Sequence, residues 1–159
     1  MRLFMRNLCF IFADQILTMQ EIKIKDYLIE HGIRPVNKRV KIMNYLVSKR
    51  NHPTAEMIYL ELVNEIAGLS KTTVYNTLNL FVQEAVVHAL NIESNELRYD
   101  ADISQHGHFK CKECGEVYDF SFSQDLIHDL RLKNFVLEDF QFSINGICSI
   151  CHLSTPDQA

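Results

Sequence analysis

The sequence is poor in proline (three) and glycine (five), and it has five cysteines in 159 residues. The first two shortages exclude collagen-like and low-complexity chains, and the third excludes a disulfide-rich miniprotein. No apolar run approaches the ~20 residues of a membrane span. A positive charge balance is missing too: 16 Lys and Arg face 20 Asp and Glu, a net −4, which at first sight argues against a phosphate-rich partner. What is there, 47% apolar and 23% charged residues, describes an ordinary globular chain of one domain or two small ones.

Charge and cysteine are unevenly placed. Residues 1–19 carry +1, residues 20–84 carry +2 and residues 85–159 carry −7, so the acidity belongs to the second half. Four cysteines lie there, as Cys111-Lys-Glu-Cys114 and Cys148-Ser-Ile-Cys151, while Cys9 stands alone. The apolar stretch 3–12 follows Arg2 but is broken by Arg6, and no small-residue cleavage site follows it. We read 1–18 as an N-terminal extension or mis-assigned start ahead of Met19, 19–101 as one domain and 102–159 as another. A cytoplasmic, reducing setting follows, in which Cys-x-x-Cys pairs serve as metal ligands.

The first half reads as short helices. Ile24, Tyr27, Leu28 and His31 share a helical face that Gly32 ends, and Val36, Val40, Met43 and Val47 repeat through a basic segment. Thr54 is a candidate N-cap for a third helix with Ala55, Ile58, Leu62 and Ile66 inward and Gly68 closing it. Ser70 caps a fourth, with Val74, Leu78, Phe81, Val82 and Ala85 buried. Its other face carries Lys71, Thr72, Thr73, Tyr75, Asn76 and Asn79, groups suited to base edges and phosphates. Two β-leaning stretches, Val86–Ile92 and Glu96–Asp100, follow, and the whole reads as a winged helix-turn-helix. A structural bundle with a solvated polar face is the plain alternative.

In the second half, Tyr118, Phe120 and Phe122, then Phe140, Phe142 and Ile144, alternate with polar residues as strands do. A helix over Gln124–Lys133 lies between, with Leu126, Ile127 and Leu130 inward. The expectation is an α+β chain: a winged helix-turn-helix domain, then a small α/β dimerisation domain with a structural zinc site, completed by a second copy. Cys111, Cys114, Cys148 and Cys151 supply the four thiolates of a closed tetrahedral Zn(2+) site. His106 and His108, two apart in a strand, can face a second ion, for which Asp100, Asp102 and Asp119 are candidate oxygen donors. Such a mixed set suits Fe(2+), Mn(2+) or Zn(2+).

Taken in order, His52-Pro-Thr-Ala55, Leu69-Ser-Lys-Thr-Thr-Val-Tyr-Asn-Thr-Leu78, Leu97-Arg-Tyr-Asp100, His106-Gly-His108, Cys111-x-x-Cys114-Gly115 and Cys148-x-x-Cys151 resemble the ferric uptake regulator (Fur) superfamily of bacterial metal-dependent repressors. The resemblance covers about residues 20–152. It implies a homodimer on a palindromic double-stranded DNA operator, with Arg39 retained from the family's basic motif. It also implies a regulatory Fe(2+) or Mn(2+) ion held by His52, Asp100, His106, His108 and Asp119. Iron-sensing members typically carry glutamate at the position of Asp119, and a further metal site common among them would fall on Gln105, Gly107, Leu126 and Phe140, which are not ligands. The peroxide-sensing branch is the better match. There, bound Fe(2+) reacts with hydrogen peroxide and a ligand histidine, here His52 or His106, is oxidised, which releases the metal and the DNA. An iron-level or zinc-level repressor of metal-uptake genes is the alternative.

Two rival classes make different demands on the sequence. Two histidines with a carboxylate also describe a non-haem iron enzyme, but such an enzyme needs open coordination positions and a substrate pocket, so the chain is read as a regulator and not an enzyme. A zinc-ribbon interaction module would not need Tyr75 or Asn76. The net charge acquires a different meaning from its distribution: Arg34, Lys38, Arg39, Lys41 and Lys71 are available to phosphates in the basic half, while the acidic half binds cations.

Overall fold

The computed structural model describes residues 21–92, 96–123, 125–126, 135–136 and 140–154. The expected extension 1–18, and all of the expected helix Gln124–Lys133 except Asp125 and Leu126, lie outside them. The chain forms two compact units. The first runs to Ala89 and includes Leu97–Ile103; the second comprises Leu90–Glu96 and everything from Ser104.

In the first unit, residues 21–30 form helix α1, which Gly32 ends at φ 72°. Helix α2 spans Asn37–Lys49, α3 Ala55–Leu62 and α4 Lys71–Gln83. Each of the last two starts where a hydroxyl can cap it. Thr54 accepts from the Met57 N–H at 3.2 Å and Ser70 from the Thr73 N–H at 3.2 Å, satisfying backbone donors that have no intrahelical partner. Ile24, Leu28, Val40, Met43, Ile58, Val74, Leu78 and Phe81 meet in one core. Two stripes differ from expectation. Val36 and Val47 are exposed while Ile42, Tyr45 and Leu46 are buried, because α2 is packed on by both α3 and α4 and so needs a broader apolar face. Ala85, past the end of α4 at φ 53°, is exposed, and Thr77 is buried with its hydroxyl donating to the Thr73 carbonyl at 2.8 Å. Helix α3 also stops six residues short of Gly68, although Ile66 still reaches the core.

Strands β1 (His88–Leu90) and β2 (Arg98–Asp100) pair as a two-stranded sheet, both shorter than the stretches expected from sequence. The second unit has a three-stranded sheet with β3 (Gly107–Cys111) between β4 (Val117–Phe120) and β5 (Phe142–Gly146), followed by the short helix α5 (Ser149–Ser154). Strand β4 pairs antiparallel with β3, setting His108 opposite Asp119, and β5 pairs parallel, setting Cys111 beside Gly146. Leu126, expected inward, is 42% exposed in the single chain.

Aromatic rings crowd the start of β3. Phe120 and Phe142 flank Gly107 in the register and meet edge to face at 5.4 Å, and a Cβ on Gly107 would fall 2.4 Å from the Phe120 ring. Gly107→Ala is therefore expected to cost about 1–3 kcal/mol by overpacking. A lowered denaturation midpoint for the second unit is the expected reading; an unchanged midpoint would mean that the Phe120 ring swings aside without loss.

Candidate metal centres and reader helix

The cysteine cluster is built by three local devices. A tight turn after Cys111, with Gly115 at φ 76° and its N–H on the Cys111 carbonyl at 3.1 Å, turns Cys114 back toward Cys111. The Lys112 N–H donates to the Gly146 carbonyl at 2.8 Å, tying that turn to the end of β5. Cys148 then precedes α5, its carbonyl accepting from the His152 N–H at 2.8 Å, which sets Cys151 one turn away. All four sulfur atoms lie within 4.8 Å of one another, with Cys114 and Cys148 at 3.9 Å. Thiolates at ~2.3 Å from a tetrahedral Zn(2+) stand about 3.8 Å apart, so the Cys114–Cys148 separation matches that ion and the other sulfur atoms lie within about 1 Å of doing so.

Electrostatics favour a cation there. Backbone N–H groups of Cys114 and Cys148 lower the Cys111 thiol to about 6, and the Cys151 N–H lowers Cys148. Cys151, hydrogen-bonded to the Cys148 sulfur, is pushed up to about 12, since neighbouring thiolates resist ionising together without a counter-charge. Tyr118 joins this set: its hydroxyl hydrogen-bonds Cys148, which raises it above the ordinary tyrosine range. The sequence reading missed Tyr118, whose aromatic alternation marked it only as a strand residue.

The histidine and aspartate candidates fall into two groups, one in each unit. In the first unit, His52 and Asp100 are both buried, with His52 Nε2 at 3.6 Å from Asp100 Oδ2. In the second, His106 and His108 lie ring against ring at 4.5 Å, and Asp119 Oδ1 is 3.6 Å from His106 Nε2 and 3.8 Å from His108 Nε2. These separations are too long for hydrogen bonds. They suit donors sharing an ion at ~2.1 Å, which stand about 3–4 Å apart. Asp102 belongs to neither group: β2 has ended, so the two-residue alternation that would align it with Asp100 is lost, and its N–H instead donates to Asp100 Oδ1 at 2.9 Å.

His52 itself has φ 44°, a left-handed conformation uncommon for a residue with a Cβ, and it precedes Pro53. It is held there from a distance. Arg98 Nη1 donates to the His52 carbonyl at 3.1 Å, the Tyr99 N–H to the Pro53 carbonyl at 3.0 Å, and Thr54 bridges to Arg98.

On α4, Thr72, Tyr75, Asn76 and Asn79 are exposed opposite the buried stripe, with Tyr75 43% exposed. Thr73 is half-buried and its hydroxyl sits 2.9 Å from that of Ser70, which makes it part of the cap. Lys71 pairs with Glu56 of α3 at 2.8 Å, which raises its ammonium pKa, and it stands 5.6 Å over the Tyr59 ring. Arg39 donates to the Arg34 carbonyl at 3.1 Å, and Lys38 to the Gly68 carbonyl in the turn before α4 at 2.6 Å. Among the described residues, no helix is long and apolar enough to cross a membrane.

Comparisons with known proteins agree with this layout. Residues 30–144 match the model of the Ferric uptake regulator family. The peroxide-responsive repressor PerR of Staphylococcus epidermidis is 32% identical over 123 residues, covering 76% of this chain and 82% of that protein. The crystal structure of the Vibrio cholerae ferric uptake regulator superposes with a TM-score of 0.63 at 26% identity, covering 78% of this chain and 98% of that one. The ferric uptake regulator of Pseudomonas aeruginosa with manganese gives 0.62 at 25% identity, covering 79% and 97%.

The cysteine geometry sets a clear expectation. Cys111→Ser removes the one thiolate that is both buried and bonded to a backbone N–H of the opposite Cys-x-x-Cys pair. Bound zinc should fall from about one per chain toward none, and protease sensitivity of the second unit should rise in step. A stable, zinc-free second unit would refute the assignment.

Proposed function

The chain belongs to the ferric uptake regulator family, and from that premise we propose that it is a cytoplasmic, metal-dependent DNA-binding repressor that senses peroxide. Members of this family are transcriptional regulators and not enzymes, so the metal ligands serve a switch. The observation that carries the reading is the position of Asp100: the strand that holds it, β2, belongs to the unit that presents the reader helix α4, so metal capture and DNA contact share one compact body.

In this reading Cys111, Cys114, Cys148 and Cys151 hold a structural Zn(2+). His52 and Asp100 from the first unit, with His106, His108 and Asp119 from the second, hold one Fe(2+) or Mn(2+). Two donors on one side and three on the other are each an incomplete set, so full ligation requires both. Occupancy then selects a DNA-competent arrangement by mass action. Arg39, Lys71, Thr72, Thr73, Tyr75, Asn76 and Asn79 are assigned to the DNA interface, Thr73 acting through the cap and Lys71 through its brace to α3. Phe135 and Val136 of the second unit are 72% and 88% exposed, apolar surface that a second copy would cover, and a homodimer implies a palindromic operator.

The similarity to a peroxide-responsive repressor and the aspartate at position 119 support peroxide as the signal. Bound Fe(2+) would supply redox reaction with hydrogen peroxide. The chain supplies the target, an imidazole of His52 or His106, and oxidation there removes a donor. The similarity to the Vibrio cholerae ferric uptake regulator favours a second reading, an iron-level sensor.

One experiment separates the two. The protein is loaded anaerobically with Fe(2+) or Mn(2+), exposed to hydrogen peroxide, and followed by operator binding and peptide mass spectrometry. The iron form alone should lose DNA and gain one oxygen on the peptide bearing His52 or His106. An iron form that survives peroxide unmodified but releases DNA on chelation identifies an iron-level sensor. Separately, Tyr75→Ala with Asn76→Ala should abolish specific DNA binding at unchanged metal content; retained binding would exclude α4 as the reader.

A further inference from the structure

We propose that Arg98 is the positioning residue of the regulatory metal site: its guanidinium fixes the His52 backbone so that His52 and Asp100 are presented together. This rests on the reading of His52 and Asp100 as metal ligands.

Nothing local explains where His52 points. Helix α2 ends at Lys49, Arg50 takes a left-handed conformation at φ 47°, and His52 takes another at φ 44° immediately before a proline. Two left-handed residues with side chains in three positions form a segment that would relax if left to itself. The restraint comes from β2, 46 residues further along, through Arg98 Nη1 on the His52 carbonyl at 3.1 Å. On the next peptide, the Tyr99 N–H holds the Pro53 carbonyl at 3.0 Å. The residue after Tyr99 is Asp100, whose own Oδ1 is held by the Asp102 N–H at 2.9 Å, leaving Oδ2 toward His52 Nε2. Three consecutive residues of one strand thus set both ligands: Arg98 and Tyr99 hold the His52-Pro53 backbone, and Asp100 supplies the second donor. The hydrogen bond from Arg98 is charge-assisted and directed at a backbone carbonyl, so it orients the segment without competing for the ion. Partners that orient metal ligands in this way typically govern affinity by roughly 10–100-fold.

The test uses the full-length, zinc-loaded protein with Mn(2+) as the probe, measured by titration calorimetry for wild type, Arg98→Met, Arg98→Gln, Arg98→Lys and His52→Ala. Arg98→Met should weaken Mn(2+) at least roughly tenfold, with zinc content unchanged. Arg98→Lys, which keeps a charged donor, should recover part of the loss. In the metal-free protein, the Tyr99 amide should exchange with deuterium faster in Arg98→Met than in wild type, a readout independent of any ion. If Arg98→Met does not fold, Arg98→Gln, too short to reach the carbonyl, decides in its place. Wild-type Mn(2+) affinity in the Met or Gln variant, with affinity lost in His52→Ala, overturns the role of Arg98 and leaves the ligand assignment standing. Wild-type affinity in His52→Ala overturns the ligand assignment itself.

Discussion

The register of β3 is the constraint on which the second unit depends. This one strand begins next to His106, carries His108 and ends at Cys111, so it holds donors of both chemistries, and its partners supply the rest. Pairing with β4 brings Asp119 opposite His108, and pairing with β5 brings the segment leading to Cys148 beside Cys111. A slip of one residue would turn every side chain to the other face and separate both sets. Gly107, paired with Phe120 on one side and Phe142 on the other, helps fix that register, because a Cβ there would collide with the Phe120 ring.

Features set by local spacing were legible in the sequence. The Cys-x-x-Cys pairs, the caps at Thr54 and Ser70 and the Val74, Leu78 and Phe81 part of the α4 stripe all depend on neighbours within four residues, and the structure has them as expected; the stripe departs from expectation at its end, where Ala85 is exposed. Features set by distant pairing were not. The parallel pairing of β3 with β5 crosses a long connection, and no periodicity in either strand reveals its partner. His52 is the sharpest case: a lone histidine before a proline reads as a loop residue, and only the family resemblance singled it out. Its conformation depends on Arg98, whose own motif marked Asp100 rather than the arginine. Asp102 failed in the opposite direction. Nearness in sequence to His106 and His108 made it a candidate, but β2 ends at Asp100 and the Asp102 N–H turns back to Asp100 Oδ1.

Charge followed the same division. The −4 of the whole chain is an average over a basic first half and an acidic second. Even within the first half the cations are not simply available: Lys71, Lys49 and Lys41 each face a glutamate, and Arg39 and Lys38 hold backbone carbonyls. Exposed pairs of this kind contribute little stability and exchange readily for phosphate contacts. In the free protein they link α1 to α2 through Lys41 and Glu21, α2 to α3 through Lys49 and Glu61, and α3 to α4 through Glu56 and Lys71.

The two kinds of metal set differ in what they can do for the molecule. Four thiolates within one unit form a closed set whose binding energy is folding energy, and an ion there has no second arrangement to choose. The donors of the proposed regulatory site, divided between two units, would behave differently: an ion bound to either group alone would gain less than an ion bound to both. That difference is the free energy available to bias one arrangement over another, and reversing a 1:99 balance requires about 5.5 kcal/mol of it. Its size depends on how rigidly each group is held, because every donor that must first be ordered subtracts from the gain. Asp119 and the two histidines are ordered by the β3–β4 register. His52 sits on a segment with no regular structure of its own, so the strength of any switch built on it is set by the contacts that hold that segment to β2.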